Sequence, residues 1–305
     1  MMRSTTRSRT RRALGAAALL ALGLTGCAPL GVGEPISPWV VAHHDEKAEF
    51  HLGAGDALLN LDSTSGVSQL QEFQAVGYLH LEGTSVRLHM EYETSVSGES
   101  YVSRLITDQD GYSFDQSHEA GSSETYYLLG DALKEQASDG KSWVVMPVAD
   151  LQRQSDPERN CQLFAVSYMC ALIGAWNTTQ DELDAVPVQL SRSESGSQHF
   201  STAVSVTSLV AAGLGLDEGD LRGFDSETVV PMHLWVNADG LVNKIEVNGV
   251  VEGENGEQLS LQIGFEITSL EASGDMQPVS RSDIPRNDLY QITSEAQLEE
   301  FLSKL

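Results

Sequence analysis

Apolar and polar residues alternate with a period of two along much of this chain. Val86, Leu88, Met90 and Tyr92 alternate with Arg87, His89 and Glu91. Leu259, Leu261, Ile263, Phe265 and Ile267 alternate with Ser260, Gln262, Gly264 and Glu266, and Val230, Met232, Leu234 and Val236 form a third row. Successive side chains of a strand point to opposite faces, so each row predicts a strand with one apolar and one wetter face. Further strands are expected near 71–82, 100–107, 111–116, 124–129, 142–148, 186–192, 197–203 and 241–252. Gly83, Ser97-Gly98, Asp110-Gly111, Asp139-Gly140, Asp239-Gly240 and Asn255-Gly256 separate these runs as turns. The Asp-Gly and Asn-Gly pairs favour type I′ hairpins, and hairpin-linked neighbours are antiparallel. A large antiparallel meander follows.

Three segments depart from this period. Residues 162–176 hold Leu163, Phe164, Val166, Tyr168, Met169, Leu172, Ile173 and Trp176, which make a helix apolar nearly all round and therefore buried. Residues 204–216 read equally as helix or strand. Thr293 to Leu305 forms a helix with a stripe of Leu298, Phe301, Leu302 and Leu305 and a Ser294/Gln297 capping pair. A long sheet with one apolar face must cover that face. With few helices available, the expected architecture is α+β: a large curved antiparallel sheet, a half-barrel, with helices packed on its concave face. No boundary divides 51–305 into two cores.

Charge changes the picture at the N-terminus. The 305 residues carry a net −26, from 18 Lys+Arg against 44 Asp+Glu. This balance argues against binding to a nucleic-acid backbone, which needs clustered cations. Residues 1–26 hold Arg3, Arg7, Arg9, Arg11 and Arg12 and no acid, so the remaining 279 residues carry a net −31. A small apolar run, Ala13 to Gly23, follows the arginines. It is well short of the ~20 residues a spanning helix needs, and reads as an export signal. Leu24-Thr25-Gly26-Cys27 directly after it resembles the bacterial lipobox, which implies acylation of Cys27 and cleavage before it. The expected layout is a signal peptide at 1–26, an acylated tether at 27–50 and one domain at 51–305. Acyl chains would hold the body to a membrane at about 0.8 kcal/mol per buried CH₂.

Only Cys161 and Cys170 remain. An oxidising compartment favours their pairing. Within one straight helix, nine residues would place them about 13.5 Å apart, whereas a bridge needs Cα atoms within about 7 Å. Either Cys161 precedes the helix and the chain folds back, or the two are buried thiols.

Motifs of bond chemistry are missing. There is no G-x-S-x-G elbow, Walker A loop, Rossmann fingerprint or H-E-x-x-H. Ser138 and Lys141 fit S-x-x-K, but Asp139-Gly140 between them forces a turn. His43-His44-Asp45-Glu46 with His51 reads as a polar tether segment rather than a metal site, because adjacent side chains of an extended chain diverge. Asp108, Asp110 and Asp115 lack the further ligands of a calcium loop. No metal, cofactor or catalytic residue is expected. The remaining candidates are apolar. Trp143, Phe164, Met169, Leu172, Trp176, Trp235 and Phe265 either pack a core or line a hydrophobic cavity between sheet and helix; both use the same residue types.

The lipobox Cys27, the run of strands, Ser142-Trp143-Val144-Val145, the apolar central helix, Pro231-Met232-His233-Leu234-Trp235-Val236-Asn237-Ala238-Asp239-Gly240-Leu241 and the Ile284-Pro285 exit are together similar to the LppX/LprG lipoproteins of actinobacteria. More distantly they resemble the LolA-like fold. The resemblance spans roughly residues 67–290 and implies a half-barrel closed by helices, a lipid or other apolar ligand in its hollow, and carriage across the envelope. The chain departs from the family in length, acidity, the Cys161/Cys170 pair and the C-terminal helix. A sensory or protein-interaction lipoprotein with a filled core is the alternative, and in neither reading does the protein act as an enzyme.

Overall fold

The structure, a computed structural model, describes residues 70–84, 86–147, 161, 164–182, 186, 188–214, 216, 228–253 and 256–304. The expected leader and tether, with Leu24, Thr25, Gly26, Cys27 and the histidines at 43, 44 and 51, lie outside them.

Two meanders meet in the middle of one sheet. The first comprises β1 (Glu72–Gly83), β2 (Arg87–Ser97), β3 (Ser100–Thr107), β4 (Phe114–His118), β5 (Glu124–Leu129) and β6 (Trp143–Pro147). The second comprises β7 (Gln189–Arg192), β8 (Gln198–Ser205), β9 (Val229–Val236), β10 (Val242–Glu252) and β11 (Gln258–Ser269). A short β12 (Leu289–Gln291) returns to the first edge. The 12-stranded order is β12-β6-β5-β4-β3-β2-β1-β11-β10-β9-β8-β7. Every pair is antiparallel except β12 with β6, which is parallel. Meandering alone did not predict that exception: β12 arrives after a crossing of the sheet, not from a hairpin. The closure of the two halves is the long β1/β11 ladder, Gln74 opposite Ser269 through Gly83 opposite Leu259.

The alternation is clear in two of the three predicted rows, whereas Val86, Leu88 and Met90 of the third are only partly buried against the core. Leu259, Leu261, Ile263 and Phe265, and Val230, Met232, Leu234 and Val236, are buried on one face. The α-helices among the described residues lie on that face. They are α1 (Asp131–Ala137), α2 (Phe164–Glu182), α3 (Val206–Ala211) and α4 (Glu295–Leu302). α2 touches β1, β2, β11 and β8 at once. β2 and β8 are five strand steps apart, about 24 Å on a flat sheet at ~4.8 Å per step. A helix is only about 10–12 Å wide, so the sheet must curl around α2. The fold is the expected α+β half-barrel with helices on its concave side.

Local chemistry sets the joints. The ambiguous 204–216 segment is both elements: β8 runs to Ser205, whose hydroxyl then accepts from Ser208 N and caps α3. In α4, Gln297 N donates to Ser294 Oγ, while Gln297 Oε1 accepts from Thr293 N, one residue before the cap. Phe301 on α4 packs edge-on against Tyr127 at 5.4 Å. α1 had no predicted counterpart, because its seven residues are too few to show a period. Between Asp139 and Gly140 both φ angles are positive, +54° and +75°, but this turn joins α1 to β6 rather than two strands. In Asp110-Gly111 and Asp239-Gly240 only the glycine is left-handed, so those turns are not type I′.

Residues 270–288 form a strap across the outer face. Ser273 N donates to Ser95 Oγ, and Val279 N donates to Ser117 Oγ. Ser142 N donates to Asp288 Oδ1. Ile284 completes a small outer cluster with Tyr126, Val145 and Trp143. Among the described residues, no helix is long and apolar enough to cross a membrane.

Candidate functional site

Most of the concave side is solid. Met169, Leu172, Trp176 and Phe265 are fully buried in the main core. They fill the space between α2 and the sheet rather than border a void. Trp176 also donates from Nε1 to Thr202 Oγ1 on β8 at 3.1 Å, which gives its buried polar atom a partner. Trp143 packs in the outer cluster beneath the strap. Trp235 stands on the outer face, because it alternates with the inward Leu234 and Val236. The Phe164 side chain is outside the described residues. The six described apolar candidates therefore divide between a packed core and the opposite face of the sheet.

A cavity does exist at one corner of the concave side. Its volume is about 670 Å³. Met90 and Tyr92 of β2 form one wall; Ser167, Tyr168, Cys170 and Ala171 of α2 form another. Ala212, Gly213 and Leu214, just after α3, close a third side. Cys161 lies at its rim, bonded to Cys170 with Cα atoms 5.8 Å apart. The geometric objection to the bridge is met by position: Cys161 precedes α2 instead of lying in it.

The aromatic residues of the cavity continue into the core. Tyr168 and Tyr92 have ring centroids 5.6 Å apart, and Tyr92 leads through Phe114 to Tyr127. Burial pushes the Tyr92 hydroxyl up to about 12, and pushes Tyr168 up further still, with Tyr92 adding to the effect. Both phenols are therefore neutral hydrogen-bonding groups at ordinary pH. Beyond the cavity, further along the concave face of β2 to β5, the buried side chains turn polar. Thr94 and Ser103 hydroxyls lie 2.8 Å apart, and Gln116 Nε2 donates to Tyr127 OH. Gln116 Oε1 and Thr125 Oγ1 are buried there without a hydrogen-bond partner among the described residues.

The outer face carries a second cluster that sequence reasoning passed over. His199 Nε2 and His233 Nδ1 lie 3.1 Å apart, on β8 and β9. Ser201 Oγ is 3.2 Å from His233 Nδ1 and 3.5 Å from His199 Nε2. Trp235 stacks on His199 at 4.8 Å with planes 12° apart. Lys244 sits 5.4 Å from the centre of the Trp235 ring and bridges Glu246 and Glu266, each at 3.3 Å. Tyr78 donates to Glu246 Oε2 at 2.5 Å. Burial lowers both imidazoles below the ordinary histidine value; His233 adds to the effect on His199, and Glu246 opposes it at His233. The signal was present in the alternation, which puts His199, Ser201, His233 and Trp235 on one face. It was illegible because pairing of β8 with β9 sets their register.

The other sequence candidates are spoken for. Asp115 takes a two-point contact from Arg104, at 3.0 and 3.2 Å. Lys141 donates to Asn287 O, while Ser138 turns its hydroxyl back to Lys134 O and Lys141 O. Among the described residues no three His, Cys, Asp or Glu side chains converge on a metal position.

No protein-family model matches the chain, and no curated protein is significantly similar to it. Among solved structures, a DUF1329 family protein from Desulfovibrio piger aligns at 9% identity and a TM-score of 0.23, covering 77% of this chain and 97% of that one. The MucA/MucB complex of Pseudomonas aeruginosa aligns at 16% identity and 0.25, covering 74% and 63%. A LolA superfamily protein from Nitrosomonas europaea aligns at 10% identity and 0.18, covering 76% and 97%. At such TM-scores these likenesses carry no argument about ligand or partner.

Proposed function

We propose that the protein is an extracytoplasmic lipoprotein, anchored through acylated Cys27, that binds one apolar or amphiphilic small molecule. The observation that carries this reading is the ~670 Å³ cavity beside α2. It falls within the ~300–1,000 Å³ typical of small-molecule sites. Its walls are apolar and aromatic, with the neutral Tyr92 and Tyr168 phenols and the Ser167 hydroxyl as the polar groups. The filled core around Trp176 limits the ligand: a bulky multi-chain lipid would have to displace fully buried side chains. The Cys161–Cys170 bridge supports an oxidising compartment, in keeping with the leader.

The test is uptake of a fluorescent fatty acyl probe by the body purified without Cys27, with native mass spectrometry for retained ligand. Saturable one-to-one uptake, lost in Ala171→Phe with the fold intact, is the expected result. No uptake together with only the apo mass overturns the reading and favours a protein-interaction role.

A further inference from the structure

The outer-face cluster lies on the side of the sheet away from the cavity, and the ligand-binding reading makes no use of it. From its geometry we infer that His199, His233 and Ser201 form a surface site for a transition-metal cation of borderline softness, Cu(II) ahead of Zn(II).

Three donor atoms converge there. The separations among His199 Nε2, His233 Nδ1 and Ser201 Oγ are 3.1, 3.2 and 3.5 Å. The two imidazole nitrogens suit ligands about 2.0–2.1 Å from one ion at an angle of about 95–102°, between octahedral and tetrahedral, and Ser201 Oγ approaches the same point from the side at a wider angle to His199. Imidazole is a preferred donor for copper and zinc, and the usual stability order puts Cu(II) first. Without metal, the 3.1 Å contact is a single N–H···N hydrogen bond between two near-parallel rings with centroids 5.2 Å apart. Metal binding needs only that this proton move to the far nitrogen of the same ring. The pair then offers two lone pairs with no net loss of protons, and water completes the shell on the open side.

The supporting structure is rigid. β8 and β9 are paired through eight residues of register, and Trp235 stacking holds the His199 ring. The neighbouring charges tolerate a cation: Lys244 is balanced by both Glu246 and Glu266. The other outer-face pair, His80 and His89, is built differently. Their rings lie 4.8 Å apart, and the His80 nitrogens are directed to Glu91 and Gln262.

The test is titration of the full chain, stripped of metal, with copper sulfate and separately with zinc chloride, by calorimetry and by Trp emission. Cu(II) bound at this pair quenches the stacked Trp235. One saturable equivalent is expected to weaken by at least ~10-fold in His199→Ala and in His233→Ala, since even loss of an outer-shell partner costs that much. Trp235→Phe retains the equivalent but loses the matching share of the quench, and a His80→Ala/His89→Ala double variant binds as the parent does. Should the alanine variants fail to fold, His199→Gln keeps a hydrogen bond to His233 and serves instead. Unchanged stoichiometry and affinity in the His199 and His233 variants overturns the site and leaves a hydrogen-bonded pair; any copper then bound belongs elsewhere, as at His43, His44 and His51.

Discussion

Gly77 of β1 lies directly beneath Ala165 of α2. A Cβ placed on Gly77 would stand 3.0 Å from Ala165 Cα, from its carbonyl oxygen and from the Tyr168 ring. The missing side chain is what lets the helix backbone rest on the sheet and places Tyr168 at the cavity wall. Gly77→Ala is expected to destabilise the fold by about 1–3 kcal/mol, the usual range for overpacking, read as a lower urea midpoint at unchanged slope. Gly264→Ala is the control. There the added methyl would stand 2.3 Å from the outer end of the Tyr78 side chain, which can swing away at the loss of its hydrogen bond to Glu246. The Gly264 variant should lose less stability than the Gly77 variant; the reverse order would disprove this account of how α2 is seated.

The bridge between Cys161 and Cys170 spans a sequence separation of nine. Loop closure of that length restricts the unfolded chain by about 2–3 kcal/mol. Cys170→Ser, or reductant, should lower stability by that order. Thiol labelling of the unreduced, denatured chain without Cys27 should find no free thiol. Two labelled thiols would show that the pair is not bonded in the protein as made.

Trp176 has no exposed surface and spends its one donor on Thr202. Trp176→Ala should cost about 3–5 kcal/mol through the cavity it leaves. Thr202→Val keeps the volume but orphans the indole N–H, for about 1–3 kcal/mol. The double variant Trp176→Phe/Thr202→Val should lose less than the sum of the Trp176→Phe and Thr202→Val single variants, because the indole donor is then gone. Strict additivity in the double-mutant cycle would mean that the hydrogen bond contributes nothing.

Asp288 ties the strap to β6 by accepting from Ser142 N at 2.9 Å. That backbone hydrogen bond, chiefly, holds its carboxyl below the ordinary aspartate value, with desolvation opposing it and the Ser142 side chain, Lys141 and Lys134 assisting. A carboxyl depressed in the folded state adds stability above its unfolded pKa and loses it as pH falls through the folded value. Exchange of the Ser142 amide should therefore quicken as pH drops below about 4, the ordinary aspartate range, after correction for intrinsic rates. In Asp288→Asn that step should disappear. The stability involved is under about 1 kcal/mol because the site is open to solvent. A step that persists in the variant would assign it to another carboxylate.

The alternation of residues such as Leu259 to Ile267 was sufficient to place strands and to say which side chains face inward, since that information is local to one strand. The continuous apolar run of 163–176 likewise predicted the buried central helix, and Ser294 with Gln297 predicted the cap of the C-terminal one. Partnership between strands was not legible. Nothing local says that Tyr78 sits opposite Gly264, or that His199 reaches His233, because register is set by ladders closing over long sequence separations. The place of the cavity was hidden for the same reason. Trp176 and Tyr168 are both buried aromatics on one helix, yet one fills the core and the other borders a void. A hydrophobic pattern records that a side chain leaves water; only the packed fold decides whether another side chain or an open space meets it.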